Sequence, residues 1–332
     1  MVTYDDLFIR SGLSDTGVVP YPNSPFCSPD IIPYGSQPVQ HPKDTFANFG
    51  QDFGVNIRLR EDNYIYARGL NNAPGAASGK AYLYYADGSM ILWPKMWAQH
   101  PILTDQKKDY IDISSGATGQ NWIADTPFRW RPETAPNDHF CIISRVETAA
   151  HPNPIPDIIK ISDLAAFLCN NRGFAWRNVT TVMGSPPELN VPVLYEQGPE
   201  AHYMYVILEC SKLPIGSSIA FTCGTPGPEP LLTLQKTNIT TYPNFFAGVM
   251  STVPAGFTSY VTYSFWSNNL PVPADASIGL KAVYLTSTGH PLHEAALPLE
   301  SIRGTQGFDV GATVGPTKGI VLGQFSTKFT GS

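Results

Sequence analysis

Thirty-one prolines scattered through 332 residues, rather than gathered in one tract, are the strongest constraint on what this chain can become. An internal proline removes a helical hydrogen bond and drives its ring into the preceding turn, so long helices are excluded over most of the sequence. Short strands joined by turns remain. The chain is 42% hydrophobic and 12% aromatic, enough apolar matter to bury a core, which excludes wholesale disorder. Only 14% of residues are charged, and 21 Lys and Arg against 27 Asp and Glu leave a net charge of -6 with no basic block. Nucleic-acid backbone binding needs clustered cations and is therefore not expected.

Residues 1–40 are rich in Pro, Ser and Gly and carry one strand signal, 6–10; the rest should run as extended backbone over a sandwich surface. Strand signals follow at 55–59, 64–67, 81–85 and 90–93, separated by Asn71-Asn72-Ala73-Pro74-Gly75 and Asp87-Gly88. Asp-Gly between apolar runs predicts a hairpin joining 81–85 to 90–93, because type I′ turns need positive φ. A second hairpin is predicted from 109–113 to 121–124 through Gly116 and Gly119, and 139–146 completes the strand count of one sandwich. His151-Pro152-Asn153-Pro154-Ile155-Pro156 is the clearest boundary, since alternate prolines favour stiff extended backbone. Residues 162–169 are the one convincing helix, with Ser162 or Asp163 as cap and Leu164, Phe167 and Leu168 on one face. Strand signals resume from Phe174 to the end. The expected fold class is all-β: two Ig-like β-sandwich domains, 1–155 and 175–332, with a Pro-rich linker and one short helix, 156–174, at the junction.

Ser28-Pro29-Asp30-Ile31, then Asn63-Tyr64-Ile65-Tyr66-Ala67-Arg68, Asn71-Asn72, the strand from Ser78 to Ala86 and Trp93-Pro94-Lys95-Met96-Trp97 arrive in a distinctive order. This series resembles the CARDB-type immunoglobulin-like modules of large bacterial surface and secreted proteins. Asn171-Arg172-Gly173-Phe174-Ala175-Trp176-Arg177-Asn178-Val179 is similar to a segment that follows those modules and opens the next domain. The resemblance covers residues 28 to about 180 and departs from the usual pattern at Ile32-Pro33. It implies a sandwich in a scaffolding or adhesive context and no catalytic residue.

No catalytic, cofactor-binding or metal-binding residue is nominated. His290-Pro291-Leu292-His293-Glu294 offers metal-ligand types, but it lacks the second histidine of a His-Glu-x-x-His helix and reads as a turn beside a solvated strand edge. His139 and Cys141 share a strand face, and His151 or Cys27 would join them only through folding. A nucleophilic pair needs a partly exposed thiolate, whereas Phe140-Cys141-Ile142-Ile143 is the context of a buried thiol. Gly75-Ala76-Ala77-Ser78-Gly79-Lys80 is one residue short of a phosphate-binding loop, and a strand follows it. Tyr64 with Tyr66, Tyr82 with Tyr84, and Trp93, Trp97, Trp122, Trp130 and Trp176 should chiefly pack in the core. Trp93 and Trp97 would share one face of an edge strand interrupted by Pro94.

Five cysteines without a C-x-x-C suit a reducing cytosol. The opening residues lack a basic and an apolar region, so synthesis in the cytoplasm without a classical signal peptide is expected, with any exit through an injection system or lysis. The function expected is that of a non-enzymatic binding or assembly protein, a bacterial cargo or accessory of a toxin, injection or phage-tail-like particle, with a protein partner or, through rim aromatics, a glycan. The alternative is a toxin or effector whose apolar stretch 244–257 acts on a host membrane or molecule. No cofactor and no nucleic acid are called for.

Overall fold

Two long strands, Asn63–Asn71 and Ala77–Asp87, organise the first part of the chain. The computed structural model describes residues 2–21, 26–133, 139–179, 182–183, 186–224, 231–303, 308–310 and 317–329. Two compact units form. One comprises Met1–Asp87, Trp93–Ile158 and Phe167–Val179, the other Gly88–Leu92, Ile159–Ala166 and Thr180–Ser332. Both are built on strands, and the α-helices among the described residues are short: Pro42–Thr45, Ile161–Asn170 and Leu299–Arg303. The all-β sandwich class expected from proline spacing is what the chain adopts.

In the first unit each long strand is the spine of a layer. Asn63–Asn71 pairs along one edge with Phe128–Trp130 and Asn121–Ile123, and along the other with Ile31–Pro33 and Leu7–Phe8. Ala77–Asp87 pairs along one edge with Phe140–Thr148, which carries Phe174–Val179 beyond it, and along the other with Tyr110–Ser115 and Pro101–Thr104. Alternate side chains point inward: Ile65 and Ala67 meet Ala81, Leu83, Ile111, Ile113, Ile142 and Val146 in one buried cluster. Burying each large aliphatic chain contributes about 1.5–3 kcal/mol, so this alternation fixes the register.

The outer face of Asn63–Asn71 is also buried, under a second cluster of Ile32, Phe46 and Tyr66. The motifs at 28–31 and 63–68 meet here. The fully buried Asp30 carboxylate accepts from Arg10 Nε at 2.8 Å and its terminal nitrogen at 2.7 Å, from the Arg10 backbone N–H at 3.1 Å and from Arg68 Nε at 2.9 Å. Arg68 spends its other donors on the carbonyls of Phe46 (2.7 Å), Asn48 (3.0 Å) and Gln51 (2.6 Å), while Arg10 reaches Phe49 O at 2.9 Å. The Phe49 ring lies 5.0 Å from the Arg10 guanidinium and 4.4 Å from that of Arg68. Two buried cations on one carboxylate thus fasten a loop that has little regular structure of its own. A second buried pair, Arg172 with Asp15, lies beside Tyr21, 4.2 Å from the guanidinium.

Several local expectations are corrected. The Asp87-Gly88 hairpin does not form: Ala77–Asp87 takes Phe140–Thr148 as partner, and the chain leaves for the other unit, where Ser89 bridges Leu194 and Met90 N–H donates to Leu194 O at 2.8 Å. The Trp93-to-Trp97 segment is a 3-10 turn, Pro94–Met96, rather than an edge strand, because Pro94 opens a turn more readily than it continues a ladder. Both indoles are nonetheless buried, Trp97 packing on Tyr84 and Phe174 with ring centroids at 5.4 and 6.0 Å. Residues 55–59 form no strand. Strand 174–179 belongs to the first unit, since antiparallel pairing with Phe140–Thr148 outweighs the proline-marked boundary before it.

The second unit pairs Glu188–Glu196, Thr258–Trp266, Ser218–Cys223 and Thr233–Asn238 in that spatial order, and builds a larger sheet from Lys318–Phe329, Ser277–Thr286, His202–Ser211 and Asn244–Val253. Successive strands mostly alternate between the sheets, a Greek-key arrangement. In the four-stranded sheet Leu189, Val191, Val193, Val261, Tyr263 and Phe265 are buried while alternate neighbours are not, the period-2 pattern of a half-buried sheet. His202–Ser211 and Ser277–Thr286 are buried on both faces for most of their length. A Cβ at Gly323 would lie 1.8 Å from Met90 O, so glycine there admits the Gly88–Leu92 segment against the last long strand. The expected helix stands at Ile161–Asn170, and Ser162 donates its backbone N–H and hydroxyl to Glu200 Oε2 at 3.2 and 2.7 Å.

Candidate binding cleft

The second predicted hairpin fails in a way that creates a site. Tyr110–Ser115 and Asn121–Ile123 follow one another across Gly116 and Gly119, yet they do not pair: the first joins Ala77–Asp87 and the second joins Asn63–Asn71. Each long strand offers more ladder hydrogen bonds and a buried face than a short hairpin could, so tertiary pairing wins over the turn signal. The two strands therefore diverge into different layers. Among the described residues no strand pairs the outer edge of Tyr110–Ser115.

Between these edges lies a cleft of about 450 Å³, within the size range of ligand sites. Its walls include Lys43, Lys108, Asp112, Ser114, Asn121 and Asp125, and Ile111, Ile113 and Trp122 supply its apolar lining. Trp122 is 2% exposed, and its indole Nε1 is buried without a hydrogen-bond partner. Gly69, directly opposite Trp122 in register, makes room for the ring: a Cβ there would sit 2.6 Å from the indole and 2.1 Å from Phe8 O. Lys43 and Asp125, both well exposed, form a 2.7 Å ion pair at the rim. Around Tyr110, which lines the cleft, Lys108 Nζ lies 5.9 Å from the ring centre, and Lys80 Nζ, outside the lining, lies 4.2 Å from it. Neither lysine has an ion-pair partner among the described residues. Tyr82 stands 6.0 Å from Tyr110, and burial pushes its hydroxyl up to about 12, so it stays a neutral donor.

The residues weighed for chemistry are placed elsewhere. His139 and Cys141 are both buried; burial pushes the imidazole down to about 3 and the thiol upward, the opposite of an activated thiolate–imidazolium pair. His290 accepts from Leu292 N–H on Nδ1 at 3.1 Å and donates from Nε2 to the Tyr284 hydroxyl at 3.1 Å, so both ring nitrogens are engaged. His293 Nδ1 faces Thr286 Oγ1 at 3.3 Å, and Glu294 lies 3.9 Å from Lys318 Nζ. Among the described residues no group of three metal-ligand side chains converges. Ser78, Gly79 and Lys80 of the phosphate-loop-like segment are strand residues paired with Ser114, Ile113 and Asp112. His151 stands instead beside Asp6, its Nδ1 2.9 Å from Oδ2. The apolar stretch 244–257 contains the strand Asn244–Val253, hydrogen-bonded throughout to His202–Ser211 and over Ala247 to Val249 to Phe308–Val310. No described helix is long and apolar enough to cross a membrane.

The cleft residues escaped the sequence reading. Lys43 lies far in sequence from Lys108, Trp122 and Asp125, and the one local signal present, Gly116 with Gly119, pointed to a closed hairpin.

No protein-family model matches this chain, and no curated protein matches it. Among solved structures, the crystal structure of red sea bream transglutaminase is similar over 76% of this chain at 11% identity, with a TM-score of 0.22. The chain spans 28% of that protein's length, and a likeness at this score carries no statement about activity.

Proposed function

We propose that this chain is a non-enzymatic binding or assembly protein that holds its partner in the cleft between Tyr110–Ser115 and Asn121–Ile123. The observation that carries the reading is the cleft itself: two strand edges and an apolar floor, with no activated thiolate–imidazolium pair among the described residues. The resemblance of residues 28 to about 180 to CARDB-type modules supports a scaffolding role. The motifs that carry it, around Asp30 and Arg68, hold the sandwich together. In that role the chain is a bacterial cargo or an accessory of a toxin, injection or phage-tail-like particle, with a protein as its partner.

The test is a panel of ester, peptide and glycoside substrates offered to the purified full chain. No turnover is expected, and any ligand that binds should slow hydrogen exchange in the cleft without being consumed. Hydrolysis that a single substitution abolishes would overturn the reading.

A further inference from the structure

Among the described residues, the outer edge of Tyr110–Ser115 is an unpaired β-strand edge six residues long, about 20 Å at strand rise. Every second residue of such an edge directs its backbone N–H and C=O away from the sheet. Folded proteins commonly blunt edges of this kind with a bulge, a proline or a covering loop. Here residues 110–115 contain no proline, their pairing with Ala77–Ser78 through Tyr82 runs in unbroken register, and the side of the free edge is the cleft. Asp112 and Ser114 point outward and Ile111 and Ile113 inward, so an added strand would find alternating polar and apolar surroundings.

Resting on the reading of this cleft as the binding site, we propose that its occupant is an extended peptide segment of a protein partner. That segment adds as a further strand to the Tyr110–Ser115 edge, with an acidic side chain at the Tyr110 end. A row of main-chain donors and acceptors repeating every two residues matches another main chain, and the hydroxyls of a sugar have no such repeat. Lys80 and Lys108, both stacked towards Tyr110 and without an ion pair among the described residues, provide the cationic end. Lys43 is taken up by Asp125, and Asp112, opposite Lys80 in register, forms no ion pair with it among the described residues, so the cations left for a ligand are at that end. The Trp122 ring lines the floor and offers apolar surface to the entering chain.

The probe is the capped hexapeptide Glu-Val-Thr-Val-Thr-Val, titrated into the full chain by calorimetry, with amide hydrogen exchange read across residues 104–126. Binding with slowed exchange in 109–115 is expected. Methylating the amide nitrogens of either alternate set should weaken binding for the set that faces the edge by about tenfold or more, because those amides are the donors. A Lys80→Ala, Lys108→Ala double variant should lose affinity for this peptide and leave that of its Gln-for-Glu analogue unchanged. Equal binding of both N-methylated peptides, absence of protection at 109–115, or concentration-dependent dimerisation that protects the same residues would overturn the proposal. Protection of the cleft by maltohexaose and not by the peptide would overturn it while leaving the binding-cleft reading intact. No response in the cleft to either probe would remove both.

Discussion

Replacing Asp30 by asparagine tests whether the buried Arg10–Asp30–Arg68 arrangement is a structural clamp. The substitution preserves shape but takes the only carboxylate from between two guanidinium groups, and puts an amide N–H₂ where one of the two oxygens accepted. Asp30 and Arg68 are fully buried and Arg10 nearly so, and removing one partner of a buried ion pair costs about 3–5 kcal/mol because the charge left behind has no compensation. A domain of this size loses about 2–4 °C of melting temperature per kcal/mol, so a fall of roughly 6–20 °C is expected in the first unit. The assay is selective by composition: of the six tryptophans, Trp93, Trp97, Trp122, Trp130 and Trp176 lie in the first unit and Trp266 in the second, so indole fluorescence during urea unfolding reports chiefly the first. Arg68→Met made in the Asp30→Asn background removes one of the two cations that substitution left without their carboxylate. The double variant should therefore be more stable than the sum of the single losses by about 0.5–3 kcal/mol. A loss below about 1 kcal/mol for Asp30→Asn, or additivity of the two changes within about 0.5 kcal/mol, would refute the clamp.

Acid should destabilise the first unit through His139. Its folded pKa, pushed down to about 3 by burial, lies below the unfolded value near 6.5. The unfolded chain therefore takes up a proton that the folded chain refuses, and stability falls as pH drops below about 6.5. At pH 4.5 the deficit should be about 2–3 kcal/mol relative to pH 7, and His139→Gln should abolish that increment; an unchanged urea midpoint in the parent would contradict it. Burial shifts His202 in the same direction, so the second unit should share the trend. Trp93→Ala, at a side chain 2% exposed, should cost about 3–5 kcal/mol; a loss within about 0.5 kcal/mol would class the indole with surface residues. Gly69→Ala forces a methyl against the Trp122 indole and Phe8 O. It should cost about 1–3 kcal/mol by overpacking and shift the tryptophan emission; neither change would mean that the ring can move aside freely.

Which edges each strand presents to which neighbours separates what could be read in this sequence from what could not. Proline spacing, period-2 alternation and turn residues are local, and they sufficed for the all-β class, for most strand positions and for the helix at Ile161–Asn170. The order of motifs from Ser28 to Arg68 was visible too. Its meaning as a buried ion network required Ile31–Pro33 to lie beside Asn63–Asn71, a pairing across more than thirty residues. Both hairpin predictions failed for the same reason: Asp87-Gly88 and Gly116 with Gly119 favour tight reversals, but the strands flanking them had longer partners elsewhere. The strand at 174–179 crossed the proline boundary on the same grounds, its register with Phe140–Thr148 being fixed by six facing residues. The cleft is a consequence of that competition. Had 109–113 closed on 121–124 as the local signals favour, the edge of Tyr110–Ser115 would be paired and Trp122 would have no space above it. Because each strand was drawn to a different layer, the gap between them retains backbone unpaired among the described residues, the Trp122 ring and the two lysines Lys43 and Lys108, which no short stretch of sequence places together.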